Sequence, residues 1–102
     1  MPDTTDLKPL PMLEIEKRFG ELEGWDLSLD HKEIYKEYRF KNYYKTINFV
    51  NVLAWVAQDE KHHPDLEVNY GRVFVKFTTH DADGLTEKDF TCAQRIDQFC
   101  NL

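Results

Sequence analysis

The chain has 102 residues, enough for one domain with a modest core. Hydrophobic residues at 41% and aromatic residues at 14% exclude an intrinsically disordered chain. Asp and Glu outnumber Lys and Arg 19 to 13, and the formal net charge of -6 repels phosphate backbones, which argues against direct nucleic-acid binding.

Residues 1–10 are polar and punctuated by Pro9, with Pro11 just beyond, and read as a flexible tail. Their start lacks the basic and apolar regions of a secretory signal and is too acidic for a transit peptide. No apolar run approaches membrane-spanning length. The expectation is a soluble, cytoplasmic protein with no membrane partner.

From Met12 to Leu22, the residues Leu13, Ile15, Phe19 and Leu22 fit a short amphipathic helix ending near Gly20. After Gly24, Trp25, Leu27 and Leu29 alternate with polar neighbours and predict a half-buried strand. Asp30-His31-Lys32 supplies a turn, and Ile34, Tyr38 and Phe40 predict a second strand, closing an antiparallel hairpin. Residues 42 to 60 contain no Gly or Pro and form the longest predicted helix, with Asn42 as N-cap. Leu66, Val68 and Tyr70 predict a third strand, Gly71 a tight turn, and Val73, Val75 and Phe77 a fourth strand from Arg72 to Thr79. Asp81 to Gly84 form a loop, and Thr86 with Asp89 three residues later resembles a capping box opening the last helix through Phe90, Ala93, Ile96 and Phe99. The order α-β-β-α-β-β-α implies an α+β fold: a single-layer, four-stranded antiparallel sheet with three helices on one face.

The long helix carries two apolar stripes on a wheel of about 100° per residue. One contains Tyr43, Ile47, Val50, Ala54 and Ala57; the other contains Phe49, Val52 and Val56. One stripe can cover the sheet, and the stripe of Phe49, Val52 and Val56 is expected to join copies in a homodimer or homotetramer, the alternative being packing against the terminal helices of the same chain. Cys92 and Cys100 fall in one predicted helix about 12 Å apart, beyond disulfide reach. They are expected to be reduced thiols, without metal or redox spacing.

The chemistry concentrates in the histidines. With the second hairpin turning between Tyr70 and Gly71, residue 80 lies across from the segment 61–63, so His62, His63 and His80 cluster. Imidazoles titrate near neutrality and can donate or accept protons in one turnover, which points to acid–base catalysis. A zinc site is the competing reading, but adjacent His62 and His63 on an extended segment point apart, and no thiolate joins them. His31 sits in a turn and is assigned no role. Ser28, the sole serine, lies away from the cluster, and there is no glycine-rich phosphate loop.

The spacing HHP-x5-Y-x9-H-x8-D, met by His62-His63-Pro64, Tyr70, His80 and Asp89, resembles the pterin-4a-carbinolamine dehydratases. Gly24-Trp25, Tyr38-Arg39-Phe40-Lys41 and Gly84 to Phe90 also look like family features. The resemblance implies the fold already read, a 4a-hydroxytetrahydropterin substrate, and loss of water to give the quinonoid dihydropterin. It implies His62 and His80 as acid–base groups, with His63 orienting the pterin. It further implies a substrate site lined by Lys61, His62, His63, Thr78, Thr79, His80 and Asp81, where backbone and hydroxyl groups meet the pterin's amide edge. No metal and no organic cofactor are implied. The family often has an acidic residue where this chain has Gln58, and Asp or Asn where it has Lys61; Asp59 or Glu60 could substitute. Some relatives act as transcriptional dimerisation partners or assembly factors, so a non-catalytic scaffold on the same fold is the alternative.

Overall fold

The computed structural model describes residues 8–100, the side chain of Cys100 excepted. Helix α1 spans Met12–Gly20, strands β1 and β2 span Asp26–Leu27 and Ile34–Arg39, and helix α2 spans Tyr43–Glu60. Strands β3 (Asp65–Val68) and β4 (Arg72–Phe77) follow, then a short 3-10 turn at His80–Ala82 and helix α3 at Glu87–Cys100. The four strands form one sheet in the order β1-β2-β4-β3, every neighbouring pair antiparallel.

Alternation along the central strands decides which face is covered. Ile34 and Tyr38 of β2 and Val73, Val75 and Phe77 of β4 are buried, whereas Glu37 and Arg39 stay exposed and Tyr35, Phe74 and Lys76 are half-buried. The buried set meets Ile15 of α1, Phe49, Leu53 and Val56 of α2, and Phe90, Ala93 and Ile96 of α3 in one core cluster. Fully burying a side chain such as Leu53 or Phe77 contributes roughly 1.5–3 kcal/mol. All three helices therefore share one face of the sheet, as the order of elements implied.

Polar contacts fix the ends of these elements. Asn42 caps α2, its side chain accepting the Lys45 N–H at 2.8 Å. Asp97 of α3 accepts the Trp25 indole N–H at 2.9 Å, the Tyr38 hydroxyl at 2.6 Å and the Lys36 ammonium at 3.0 Å, tying the last helix to the first hairpin. At the second turn, a Cβ on Gly71 would sit 2.8 Å from the Phe40 carbonyl oxygen, so only glycine permits this approach. Among the described residues no helix is long and apolar enough to cross a membrane.

Four expectations need correction. Phe49 and Val56 of α2 are buried, at 7% and 0% exposure, against the sheet of their own chain and cannot form an interface between copies. The core stripe is Thr46, Phe49, Leu53, Val56 and Ala57, while Val52 is only half-buried at its edge. Leu29 is fully exposed rather than half-buried, because the Ser28 hydroxyl accepts the N–H groups of Lys32 and Glu33 and closes the turn before the alternation reaches it. Trp25, Phe40, Tyr70, Thr78 and Thr79 likewise lie just outside the strands predicted to hold them. Finally, the end of the expected tail is docked: the Leu10 N–H donates to the Leu85 carbonyl at 2.8 Å, and Leu10 packs on the core. Residues 1–7 of that segment lie outside the described residues.

Candidate functional site

His62 is delivered by the way α2 ends. Lys61 adopts the left-handed conformation, with φ 54°, and the His62 N–H returns to the Ala57 carbonyl at 2.9 Å, which stops the helix and sends the chain across toward β3. The preceding turn is clamped from α3: the Arg95 guanidinium donates to Asp59 at 2.7 Å and to Glu60 at 2.5 Å and lies 5.3 Å over the Trp55 ring. Hydrogen bonds to Asp59 and then Glu60 push the Arg95 guanidinium further toward its charged form. Both carboxylates that could have stood beside the histidines are thus engaged elsewhere.

The histidine's partner is Asp89, a fully buried carboxylate in the first turn of α3. One oxygen faces His62 Nε2 at 2.5 Å; the other accepts the Thr79 hydroxyl at 2.7 Å and the Thr86 N–H at 2.9 Å. The Thr86 contact is the backward half of a capping box. Thr86 does not use its hydroxyl to complete that box; it bonds the Thr79 hydroxyl at 2.8 Å instead. Because Thr79 donates to Asp89, Thr86 is the donor to Thr79, and the chain of hydrogen bonds has one consistent direction. With a carboxylate on Nε2, that nitrogen carries the proton, and Nδ1 is the ring nitrogen left for a substrate. Phe77 stacks on the imidazole at 5.9 Å and 14°, fixing its plane.

Cys92, one turn beyond Asp89, points its sulfur at the His62 carbonyl, 4.0 Å away. Burial, with the charges of Glu60 and Asp89 adding to it, pushes its thiol up to about 12, so it is a packing group rather than a nucleophile.

Beyond the last β3–β4 pair, Asp65 with Lys76, the strands diverge into a cleft of about 300 Å³. Lys61, His62 and His63 line one side and Thr78, Thr79, His80 and Asp81 the other, so the fold brings together every residue that sequence reasoning placed there. His62 shows only 10% of its side chain, whereas His63 and His80 are exposed. The two threonine hydroxyls are not free to meet a ligand: Thr79 serves Asp89, and Thr78 donates to the Lys32 carbonyl at 2.7 Å. His31 lies outside this cleft, in its turn with φ 60°. Among the described residues, no group of three His, Cys, Asp or Glu side chains is arranged to hold a metal ion. A rigid imidazole with one free nitrogen, sharing an open cleft with two exposed imidazoles, can take a proton from one part of a ligand while a second ring returns one to another.

Sequence reasoning had both Thr86 and Asp89 as a cap and as a motif end, but it missed Asp89 as the group that orients His62.

The family model for pterin 4 alpha carbinolamine dehydratase matches residues 8–99. A protein of Stenotrophomonas maltophilia (strain R551-3) named for pterin-4-alpha-carbinolamine dehydratase is 51% identical over 84 residues, covering 78% of this chain and 72% of its own. A protein of the same name from Nitrosospira multiformis is 46% identical over 91 residues, covering 89% and 79%. Among solved structures, a transcriptional coactivator/pterin dehydratase from Brucella melitensis superposes with a TM-score of 0.84 at 27% identity, over 89% of this chain and 97% of that one. A pterin dehydratase-like RuBisCO assembly factor of the alpha-carboxysome shares the fold, with a TM-score of 0.65 at 21% identity over 74% of this chain and 88% of that one.

Proposed function

This chain belongs to the pterin 4 alpha carbinolamine dehydratase family, and from that membership we propose that it removes water from 4a-hydroxytetrahydrobiopterin to give quinonoid dihydropterin, in tetrahydrobiopterin recycling. The observation that carries the reading is the buried Asp89–His62 pair, closing the floor of a cleft rimmed by His63 and His80. In this reaction the C4a–O bond breaks, the hydroxyl leaves as water after receiving a proton, and the lone pair of the adjoining ring nitrogen forms the new double bond as that nitrogen sheds its proton. His62 takes the ring-nitrogen proton on Nδ1, and the Asp89 charge behind it stabilises the imidazolium so formed. His80, exposed on the opposite wall, protonates the departing hydroxyl, and His63 orients the pterin. The Lys61 to His63 backbone and the Thr78 to Asp81 strand end contact the pterin edge, through main-chain groups rather than threonine hydroxyls.

The test is stopped-flow dehydration of a synthetic 4a-hydroxytetrahydropterin. Alanine at His62 or at His80 lowers kcat on the order of 10²-fold with a smaller change in KM, alanine at His63 raises KM more than it lowers kcat, and a chelator leaves the rate unchanged. Full rates in both the His62 and His80 variants contradict the assignment.

Self-association belongs to the surface the core leaves bare. Tyr44 and Trp55 on the outer side of α2 are 75% and 57% exposed, and Leu66 and Val68 stand on the unpaired edge strand β3. Their apolar surface supports a homo-oligomer. The buried unpaired Cys92 thiol is consistent with a cytoplasmic setting. A scaffolding role on the same fold is the competing reading, supported by the name of the Brucella protein and by those exposed aromatic side chains. Absence of any rate above the spontaneous reaction would favour it.

A further inference from the structure

Helix α2 ends against its own dipole. Its last turn holds Asp59 and Glu60 and no basic residue, so two carboxylates stand at the helix end that already carries negative partial charge. The missing cation comes from α3, whose Arg95 reaches Asp59 at 2.7 Å and Glu60 at 2.5 Å with 26% of its side chain exposed. Asp89, Cys92 and Arg95 recur every three residues along α3 and meet the His62 segment in order. Asp89 takes the ring, the Cys92 sulfur lies 4.0 Å from the His62 carbonyl, and Arg95 holds the two residues before Lys61. Burial chiefly raises the Cys92 thiol, but Glu60 adds to the rise and Arg95 opposes it, so both charges reach the space behind the imidazole.

We propose that Arg95 is a positioning residue for His62: it holds the last turn of α2 in place and cancels two carboxylates that would otherwise favour a protonated imidazole. The inference rests on the dehydratase reading, in which His62 is the base, and adds a residue to it. A base must be unprotonated to accept a proton. Asp59 and Glu60 precede His62 by only a few residues, and without a cation between them their charge favours the imidazolium. The other charged and titratable groups around the ring come from three directions. From α3 come Asp89 and Cys92, with the charge of Lys88 also reaching Cys92; from across the cleft, His80 and Asp81; from the chain on either side, Lys61 and His63. Phe77 of β4 stacks on the ring without charge. All of these are retained when the clamp is altered, so a change in the titration of His62 reports the clamp.

The experiment follows the histidine ring signals by ¹H–¹³C spectroscopy as pH is varied, at low salt and without substrate, and then kcat/KM for dehydration on the acidic side of its profile. In Arg95→Met the two carboxylates are left uncompensated; the His62 midpoint rises by roughly half a pH unit, and kcat/KM falls by about threefold. In the double variant Asp59→Asn, Glu60→Gln the cation is left alone, and the midpoint moves at least as far the other way. Arg95→Lys keeps the charge and the native midpoint, and His31 titrates alike in every protein. Opposite shifts from opposite charges are not produced by a merely structural role. The double variant also relieves the charge at the helix end, so it keeps the test open even where Arg95→Met fails to fold. A His62 midpoint unmoved by the charge changes, or moved the same way by both, overturns the role of Arg95 while leaving the dehydratase reading intact. Ring titrations as expected, with no turnover in the native protein, uphold the clamp and overturn the dehydratase reading alone.

Discussion

Replacing Asp89 by asparagine exchanges one side-chain oxygen for an amide nitrogen and inverts one hydrogen bond. The oxygen that the amide retains still accepts from the Thr79 hydroxyl and the Thr86 N–H, which lie 2.7 and 2.9 Å from it, so the start of α3 stays capped. The new amide nitrogen then faces His62 Nε2, which is 2.5 Å from the other oxygen in the native protein, and two donors cannot share that contact. The imidazole must move its proton to Nδ1, and the nitrogen proposed to accept the substrate's proton becomes a donor. Loss of the base is expected to lower kcat by about 10²-fold, equivalent to roughly 3 kcal/mol of barrier, with little change in KM. Folding stability falls less, by about 0.5–1.5 kcal/mol, because a charge-assisted hydrogen bond is replaced by a neutral one. Stopped-flow dehydration and urea unfolding of the same preparation separate the two effects. In a double-mutant cycle the Asp89→Asn, His62→Ala pair is little worse than His62→Ala alone, because the two residues act as a unit. A folded Asp89→Asn protein with native kcat would refute the role given to the pair.

Other consequences follow from single residues. The Cys92 thiol sits at about 12 in the folded chain against 9.0 when free, so the unfolded chain loses its proton first; stability is intact below pH 9 and declines as pH rises toward 12. Urea midpoints across that range should fall less in Cys92→Ala than in the native protein, and in a Cys100→Ser background native Cys92 should resist iodoacetamide at pH 8. Leu53→Ala removes a side chain only 1% exposed at the centre of α2. It should cost about 3 kcal/mol and lower Tm by roughly 10–20 °C. Lys61→Gly relieves a left-handed lysine at the end of α2, so the variant should unfold at equal or higher urea, with a gain of up to about 1 kcal/mol; a clear loss would mean that the lysine side chain holds the cleft.

The cleft was legible before the fold because a hairpin's register follows from its turn. Gly71 marked the reversal, the two-residue period of Val73, Val75 and Phe77 marked the face, and together they carried His80 to the neighbourhood of His62. Helix α2 was not legible in the same way. With apolar residues on two sides, a wheel cannot say which side the sheet will take, and Leu53, the helix's leucine and 1% exposed, belonged to neither proposed stripe. Asp89 shows a similar limit: its bond to the Thr86 N–H is local and follows from a three-residue spacing, but its other oxygen meets His62 only because α3 packs across the end of α2. The Arg95 clamp on Asp59 and Glu60 is invisible for the same reason. Leu29 misled because alternation alone does not record where a serine hydroxyl will capture the backbone.

In the proposed site one pterin engages three imidazoles at once, and the histidine rings themselves can report it. In ¹H–¹³C spectra recorded while a stable dihydropterin is titrated in, the ring signals of His62, His63 and His80 should shift together along one saturation curve, while His31, set in its turn outside the cleft, stays still. Saturable binding that leaves those three signals unmoved, or that moves only His31, would contradict it.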